Sequence, residues 1–401
     1  MRLFVEEISN FVAFVSLEKE WNDLLALAPS DAPFLRHEWF RVWWKAFGGG
    51  KRMAVLTVRS QEGRLLAVAP LMEARGTRTG VPCRIWASMS NDHSGRFDFI
   101  FLEALQHPVE AVEAIVDYME RRAPKIHLME LQDLPADSRT IRLFQEVSVR
   151  KGRAIGLGPS IRTPYVPIEG TWSAYFDSLS GRLKRNLRRR RRQLEERGAV
   201  TVERGPGAEE AGGWSGLADR LREGFDIEAL AWKGRAGTAI RENKTLTAFY
   251  REWAGLAAEQ GWLRLYFLKL DERRIAFFYA LQYGRTLYYL KLGYDPGFAR
   301  YSPGVLLHQE ILKSLFEERV SELDFLGPSM DWKLDWAKGV RPHVWFYFFQ
   351  EGAVPSLVYF MKFKALPFLK RFRWALRLQR ALFLKSAPGR PLNEGEKIGD
   401  E

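Results

Sequence analysis

Three aromatic-rich segments, followed by a helix with a glycine near its start, constrain the fold of this 401-residue chain most. The segments are 263–270, 274–282 and 286–292, and short polar turns separate them. Runs of aromatic and β-branched residues bounded by such turns predict an antiparallel meander. A helix over 303–318 and a strand over 322–325 follow, so the sequence predicts a mixed α/β fold.

The predicted helix starts with the sequence Ser302-Pro303-Gly304. We expect Ser302 at the N-cap and Pro303 at the first helical position, where each residue type is favoured. Gly304 lets another group approach the backbone closely. Because the N–H groups and the dipole of a helix start attract anions, the sequence predicts phosphate binding at Ser302, Pro303, Gly304 and Val305.

The order of elements predicts two lobes and a tail. Residues 1–165 and 166–350 each contain strands, a helix and a further strand, without an exact sequence repeat. We find no Ser-Pro-Gly helix start in the first lobe, so only the second is expected to bind a cofactor. Residues 351–401 predict a basic, aromatic helical tail that is kinked at Pro367 and frayed at its end.

The net charge of +12 is concentrated in two segments. Residues 182–197 contain nine Lys or Arg against two Glu, and residues 351–390 contain nine against one Glu. The first segment predicts a helix with an apolar stripe and a cationic face, which suits nucleic acid, anionic lipid or a polyanionic substrate. No nucleic-acid-binding motif accompanies it, so the sequence does not favour DNA or RNA as a partner.

Two interpretations of the tail stay open. Basic and aromatic residues alternate over 355–386, a composition typical of helices at an anionic membrane surface. The alternative is a helix packed across the two lobes with its Lys and Arg solvated. The N-terminus lacks the apolar run of a signal peptide, and no stretch is long enough to span a membrane, so we expect a cytoplasmic protein, either free or at the inner face of the membrane.

Cysteine and histidine usage argues against several chemistries. Cys83 is the sole cysteine, which excludes an intramolecular disulfide and zinc-finger spacings. Asn91-Asp92-His93 invites a metal or triad interpretation, but no further ligands follow at metal spacing and no nucleophile elbow is present. We interpret it as a polar turn, and we interpret His308 as a packed or surface histidine. No metal is expected.

The order of meander, capped helix and strand resembles the acyl-CoA core of the GNAT superfamily. Further motifs resemble its CelD-like branch over about residues 15–350, and the branch in turn is similar to the Fem-type aminoacyl transferases, which pair two GNAT folds. Trp332 departs from the branch, which more often has Tyr there. The motifs are Pro33-Phe34, Trp39, Trp43, Pro70-Leu71, the run 232–240, Gly293-Tyr294-Asp295, Ser302-Pro303-Gly304, Asp324-Phe325-Leu326-Gly327 and Trp332-Lys333.

This resemblance implies acetyl-CoA or a longer acyl-CoA as co-substrate. Its pyrophosphate would lie at the helix start, and its thioester between two diverging strands, 286–292 and 322–325. The family has a basic helix where this chain has the first cationic segment. Arg182 and Arg185 are therefore expected to reach the cofactor phosphates or an acidic acceptor.

Acyl transfer to an amine also needs groups that handle protons. Asp324, at the end of a predicted strand, is a candidate general base or a ligand for the amine as an ammonium ion. Tyr294 is a candidate proton donor to the leaving thiolate. Lys333 is a candidate contact to the cofactor phosphates or to an acidic acceptor.

A polar, aromatic and glycine-rich loop follows Glu228, and loops of this kind often line pockets. We expect Glu228 and Trp232 to contact the acceptor, and Lys233 to bind a phosphate or the acceptor. The acceptor would enter between the two lobes.

The sequence thus favours an acyl-CoA-dependent N-acyltransferase with a small-molecule or lipid-linked amine as acceptor. The resemblance suggests an amino sugar or a lipid precursor of the cell envelope or exopolysaccharide. One alternative is Fem-like aminoacyl transfer from aminoacyl-tRNA to a peptidoglycan precursor. Another is a non-catalytic GNAT scaffold that binds polyanions.

Overall fold

Strands and helices alternate along both halves of the chain. The computed structural model describes residues 3–105, 107–205, 213–230, 237, 239–318 and 320–370. Its strands are β1 (Phe4–Ile8), β2 (Arg52–Met53), β3 (Val55–Arg59), β4 (Leu65–Ala69), β5 (Leu71–Arg78), β6 (Val81–Ser88), β7 (Ile100–Phe101), β8 (Leu128–Pro135), β9 (Ile155–Pro167), β10 (Val200–Gly205), β11 (Leu263–Leu270), β12 (Arg273–Tyr283), β13 (Thr286–Tyr294), β14 (Glu322–Asp324) and β15 (Gly339–Phe349).

The helices cover the two faces of these sheets. They are α1 (Phe11–Ser16), α2 (Glu18–Ala26), α3 (His37–Phe47), α4 (Pro108–Arg121), α5 (Arg139–Lys151), α6 (Trp172–Asp177), α7 (Gly181–Glu195), α8 (Gly213–Leu230), α9 (Lys244–Glu259), α10 (Pro303–Glu317), α11 (Asp331–Leu334), α12 (Ala353–Phe360) and α13 (Leu366–Lys370).

Two lobes repeat one arrangement of strands. In the first lobe, from β1 to α5, antiparallel β5 and β6 are followed by α4 and by β8, which runs parallel to β6. In the second lobe, from α6 to α11, the meander β11–β12–β13 is followed by α10 and by β14, which runs parallel to β13. The predicted meander and the repeated order of elements are both present.

The strand that follows each lobe pairs with the other lobe. β9 follows the first lobe and pairs with β14 of the second, and β15 follows the second lobe and pairs with β8 of the first. β9 and β15 also pair with each other over most of their length. One sheet therefore runs through both lobes in the order β10-β11-β12-β13-β14-β9-β15-β8-β6-β5-β2, while β1, β3, β4 and β7 form a separate sheet.

The aromatic strand β15 is buried on both of its faces. Phe346 and Phe348 point into the core beneath α5, while Tyr347 and Phe349 face α12 on the opposite side. Side chains alternate between the two faces of a strand, so one aromatic run contributes to two cores. This burial explains why a continuous aromatic sequence forms a central strand.

The described part of the tail packs on this same sheet. α12, a π-helical segment over Met361–Ala365 and α13 follow one another without a break, and Phe363 lies over Gly156 of β9. Pro367 lies in the first turn of α13, just after the π-helical segment, so a change of helix type marks the site where we predicted a kink. Residues 371–401 lie outside the described part. Within that part, no helix has the length and apolar character that a membrane span requires.

The packing of α8 on β13 depends on one glycine and generates the first prediction. A Cβ atom on Gly293 would lie 2.4 Å from the Cα of Glu228, a backbone atom that can move only with its helix. We expect Gly293→Ala to lower the free energy of unfolding by about 1–3 kcal/mol. Gly158→Ala in β9 is the control, because its nearest neighbour would be 3.7 Å away. Urea unfolding measures both, and equal stabilities would contradict this account of the packing.

Candidate functional site

The parallel strands β13 and β14 separate soon after they meet. They pair only over Thr286–Tyr288 and Glu322–Asp324. β13 continues for six further residues, whereas the chain after β14 turns away through Leu326 and Gly327, which have φ values of 48° and 59°. β14 therefore does not cover the end of β13. We call this opening the strand split; it lies between the two segments that the resemblance implied.

Helix α10 begins where the sequence predicted. Ser302 occupies the N-cap position and Pro303 is the first helical residue. Ser302 has a left-handed backbone (φ 49°), and its side chain makes no capping hydrogen bond, although it occupies the N-cap position that was predicted. Its carbonyl accepts the N–H of Val305 at 3.0 Å. Gly304 faces open space, with the ring of Tyr294 3.8 Å from where a Cβ atom would lie.

A cavity of about 200 Å³ lies between α7 and the start of α10. Arg182, Asn186 and Arg190 line it from successive turns of one face of α7, and Val305 lines it from α10. The predicted cofactor residues Arg182 and Val305 thus lie together. Arg185 lies on the exposed side of α7 and does not line the cavity.

Two further residues that line this cavity were not predicted from the sequence. Asn186 and Arg190 follow Arg182 at spacings of four and eight residues, a regular helical spacing that could have identified them. Burial lowers the pKa of the Arg190 guanidinium. Pockets that enclose a small-molecule ligand usually exceed about 300 Å³, so this volume suits one phosphate group better than a whole cofactor.

Asp324, at the end of β14, is fully buried and joins the two lobes. Its carboxylate accepts hydrogen bonds from Arg96 of the first lobe and from the backbone N–H of Leu326 at 2.9 Å. Arg341 of β15 lies 3.4 Å away and also binds Glu322. Three donors thus surround the carboxylate. This arrangement favours a positioning role over removal of a proton from a substrate.

Lys333 is buried as well, although the sequence suggested contact with a cofactor or an acceptor. Its Nζ donates to the carbonyl oxygens of Leu326 at 2.7 Å and Pro328 at 3.0 Å, which holds the turn after β14. The preceding Trp332 lines the cavity beside α7. His308 is buried in α10, where its Nδ1 lies 2.9 Å from the hydroxyl of Tyr289 and burial lowers its pKa to about 3.

Glu228 lies at the opposite face of β13 from α10. It is buried near the end of α8, and its carboxylate accepts the N–H of Ile240 at 3.0 Å. The other two predicted acceptor residues, Trp232 and Lys233, lie outside the described residues. Among the residues that are described, no three His, Cys, Asp or Glu side chains are grouped so that they could hold a metal ion.

A cluster of polar side chains lies on the face of β13 opposite α10, and it was not predicted from the sequence. Lys291 of β13 is half-buried beyond the strand split, with its Nζ 3.4 Å from Nδ1 of His93 in the first lobe. The hydroxyl of Tyr250 in α9 lies 3.1 Å from the same nitrogen. His93 sits in a polar turn, as predicted, where Asn91 accepts its backbone N–H. These residues are far apart in sequence, so spacing alone could not have brought them together.

Comparisons with known proteins agree with this geometry. Residues 181–334 match the family model Acetyltransf_6, described as an acetyltransferase (GNAT) domain. The match covers most of the second lobe. The matched residues run from α7 to α11, so they include the strand split and the start of α10.

Solved structures show the same fold over most of the chain. The crystal structure of FemX aligns with a TM-score of 0.55 and 13% identity, over 89% of this chain and 99% of that chain. A conserved protein of unknown function from Bacteroides thetaiotaomicron aligns with a TM-score of 0.51 and 10% identity, over 86% and 100%. A comparison with curated proteins finds no match. The likeness supports the predicted fold of two tandem GNAT-like lobes.

The contact of Arg96 with Asp324 across the lobes generates the second prediction. Arg96→Met would leave a fully buried carboxylate without its first-lobe partner, and breaking such a pair costs about 3 kcal/mol. Arg204→Met is the control, because its pair with Glu318 is exposed and should contribute less than about 1 kcal/mol. Chemical unfolding measures both, and a loss at Arg96 no larger than at Arg204 would contradict the proposed importance of the pair.

Proposed function

We propose that this protein is an acyl-CoA-dependent N-acyltransferase that transfers an acetyl or longer acyl group to an amine. The observation that carries the proposal is the strand split beside the start of α10, within the residues that match the GNAT domain. A helix start stabilises phosphate, and an uncovered strand edge offers N–H groups to the oxyanion that forms on the thioester. The thioester would lie in the split.

The residues around α10 fit the donor side of this reaction. Arg182 and Arg190, with the backbone N–H of Gly304, would bind the cofactor phosphates, and Val305 lines the same cavity. Tyr294 lies beside Gly304 and would donate a proton to the leaving thiolate. The contacts of Asp324 and Lys333 within the protein support positioning roles for both residues.

The acceptor would be an amino sugar or an amine-bearing lipid precursor of the cell envelope or exopolysaccharide. The resemblance to the CelD-like branch supports this class of acceptor. Glu228 faces the inter-lobe side of β13, where a carboxylate could bind the acceptor as an ammonium ion. The tail supports the lipid-linked variant, because it presents apolar side chains to solvent.

Aminoacyl transfer from tRNA is the second candidate function. The likeness to FemX supports it, and so does the outer side of α7, where Arg185, Arg188, Arg189 and Arg192 are exposed. RNA that copurifies with the protein, together with no binding of acyl-CoA, would favour this candidate. Failure to bind either acyl-CoA or aminoacyl-tRNA would instead favour a polyanion-binding scaffold.

Blocking the start of α10 tests the donor site and is the third prediction. We expect calorimetric titration to detect binding of acetyl-CoA or palmitoyl-CoA to the wild type. Gly304→Trp should weaken that binding about a hundredfold or more, because the indole would occupy the phosphate position. Gly304→Ala is the matched control, since a single methyl group has room there. If neither donor binds the wild type, the acyl-CoA proposal is wrong.

The tail also offers a surface for a membrane. Leu357 and Phe360 are 47% and 56% exposed, and the exposed Lys364 follows them in the adjoining π-helical segment. Such a combination favours binding at the interface of an anionic bilayer. We propose that the tail holds the protein at a membrane surface.

Vesicle sedimentation provides the fourth prediction. The full chain should bind vesicles that contain phosphatidylglycerol and should bind pure phosphatidylcholine vesicles much less. The double substitution Leu357→Ser with Phe360→Ser should weaken binding about tenfold or more, because two apolar side chains no longer enter the interface. Val149→Ser, at a residue that is 84% exposed on α5, is the control. Equal binding to both vesicle types would contradict the proposal.

A further inference from the structure

Lys291, the half-buried lysine of β13, lies where an acceptor amine would meet a thioester bound in the strand split. Lys291 is three residues beyond the last paired residue of β13 at the strand split. Its side chain lies on the face of β13 that packs against α8, α9 and the first lobe. Helix α10 packs against the opposite face. If the donor lies on the α10 side, Lys291 is on the acceptor side.

A β-bulge in β13 gives Lys291 this orientation. Tyr279 and Ala280 of β12 pair with Lys291 and Tyr289, so Leu290 is an extra residue in β13. Tyr289 bonds His308 of α10, whereas Lys291 approaches Tyr250 of α9. In a regular strand, residues two apart share a face, so without the bulge Lys291 would point toward α10.

Groups from three elements face the Lys291 amine. His93 Nδ1 lies 3.4 Å away, and the Tyr250 ring centre lies 5.1 Å away. The carboxylates of Glu228 and Asp92 act on it electrostatically. Burial is the largest influence and lowers the pKa of Lys291, while the two carboxylates oppose that shift. Burial raises the pKa of Tyr250 well above its ordinary value, so its hydroxyl stays protonated beside His93.

We propose that Lys291 is the general base of acyl transfer and that His93, from the first lobe, passes its proton to solvent. This inference rests on the proposed function. The neutral Lys291 amine donates one hydrogen to His93 Nδ1 and keeps its lone pair for the acceptor. As the acceptor nitrogen bonds to the thioester carbon, its proton moves to Lys291 and the C–S bond breaks to release thiolate. His93 takes the extra proton at Nδ1 and releases one from Nε2 to solvent, while Tyr294 protonates the thiolate and regains its proton from solvent.

The competing role for Lys291 is a fixed positive charge that binds an acidic acceptor. Substitution by arginine separates the two roles, because arginine keeps the charge but does not lose its proton at any working pH. The base role also requires that the neutral form of Lys291 be populated at a lower pH than for exposed lysines. Each role therefore predicts a different result for the same variant.

The fifth prediction tests the base by turnover. With acetyl-CoA as donor and glucosamine as the amine probe, Lys291→Arg should lower the rate of thiol release about a hundredfold or more, while acetyl-CoA binding stays within about twofold. Lys269→Arg, on β11, should change neither quantity. His93→Ala should also slow release, and added imidazole should restore part of the rate, which a purely structural role would not permit. Activity retained in Lys291→Arg would overturn the proposal.

A second measurement does not depend on turnover. Trace labelling of the whole protein with acetic anhydride at a series of pH values, read by mass spectrometry, reports where each lysine becomes neutral. We expect the midpoint of Lys291 to lie below those of exposed lysines. Glu228→Gln should lower it further, because removing an opposite charge disfavours the protonated amine. A midpoint equal to that of exposed lysines would overturn the proposal, whereas failure of acetyl-CoA to bind the wild type would contradict the proposed function instead.

Discussion

The exchange of β9 and β15 between the lobes is the constraint on which the remaining structure depends. Each strand follows one lobe in sequence and pairs with the last parallel strand of the other. Separating the lobes would therefore expose unpaired backbone groups in both halves of the long sheet, which is far more costly than parting two surfaces. The aromatic side chains of β15 add two buried cores to this link. The lobes consequently hold a fixed relation, and side chains from both can form one site.

The site uses that fixed relation at two points, one on β14 and one on β13. Arg96 reaches the buried carboxylate of Asp324, and His93, three residues earlier, reaches Lys291 on the neighbouring strand. A single turn of the first lobe thus contacts both strands that border the split. In the proposed function, this contact lets the first lobe position the acceptor side of the second lobe without binding a cofactor of its own.

Local patterns in the sequence predicted the meander and the start of α10 well, because turn residues and Pro303 act on their immediate neighbours. The length of β9 was not predicted, because glycine, proline and arginine interrupt its apolar pattern. Its partner strands also lie much later in the sequence. Ser302 occupies the predicted N-cap position, but its left-handed backbone, in which the side chain makes no capping bond, was not predicted. Lys291 could not be found from spacing, because its environment depends on a bulge and on a turn about 200 residues away.

The two faces of β13 therefore have different chemistry, and the split is where they meet. The α10 face combines a helix start with arginines of α7, which suits an anionic donor. The opposite face combines a lysine, a histidine and carboxylates, which suits exchange of protons with an amine. A strand that simply continued in register would present Lys291 to the phosphate side, where it would remain a cation beside anions. The bulge at Leu290 moves it to the opposite side, so in the proposed mechanism one extra residue separates phosphate binding from proton transfer.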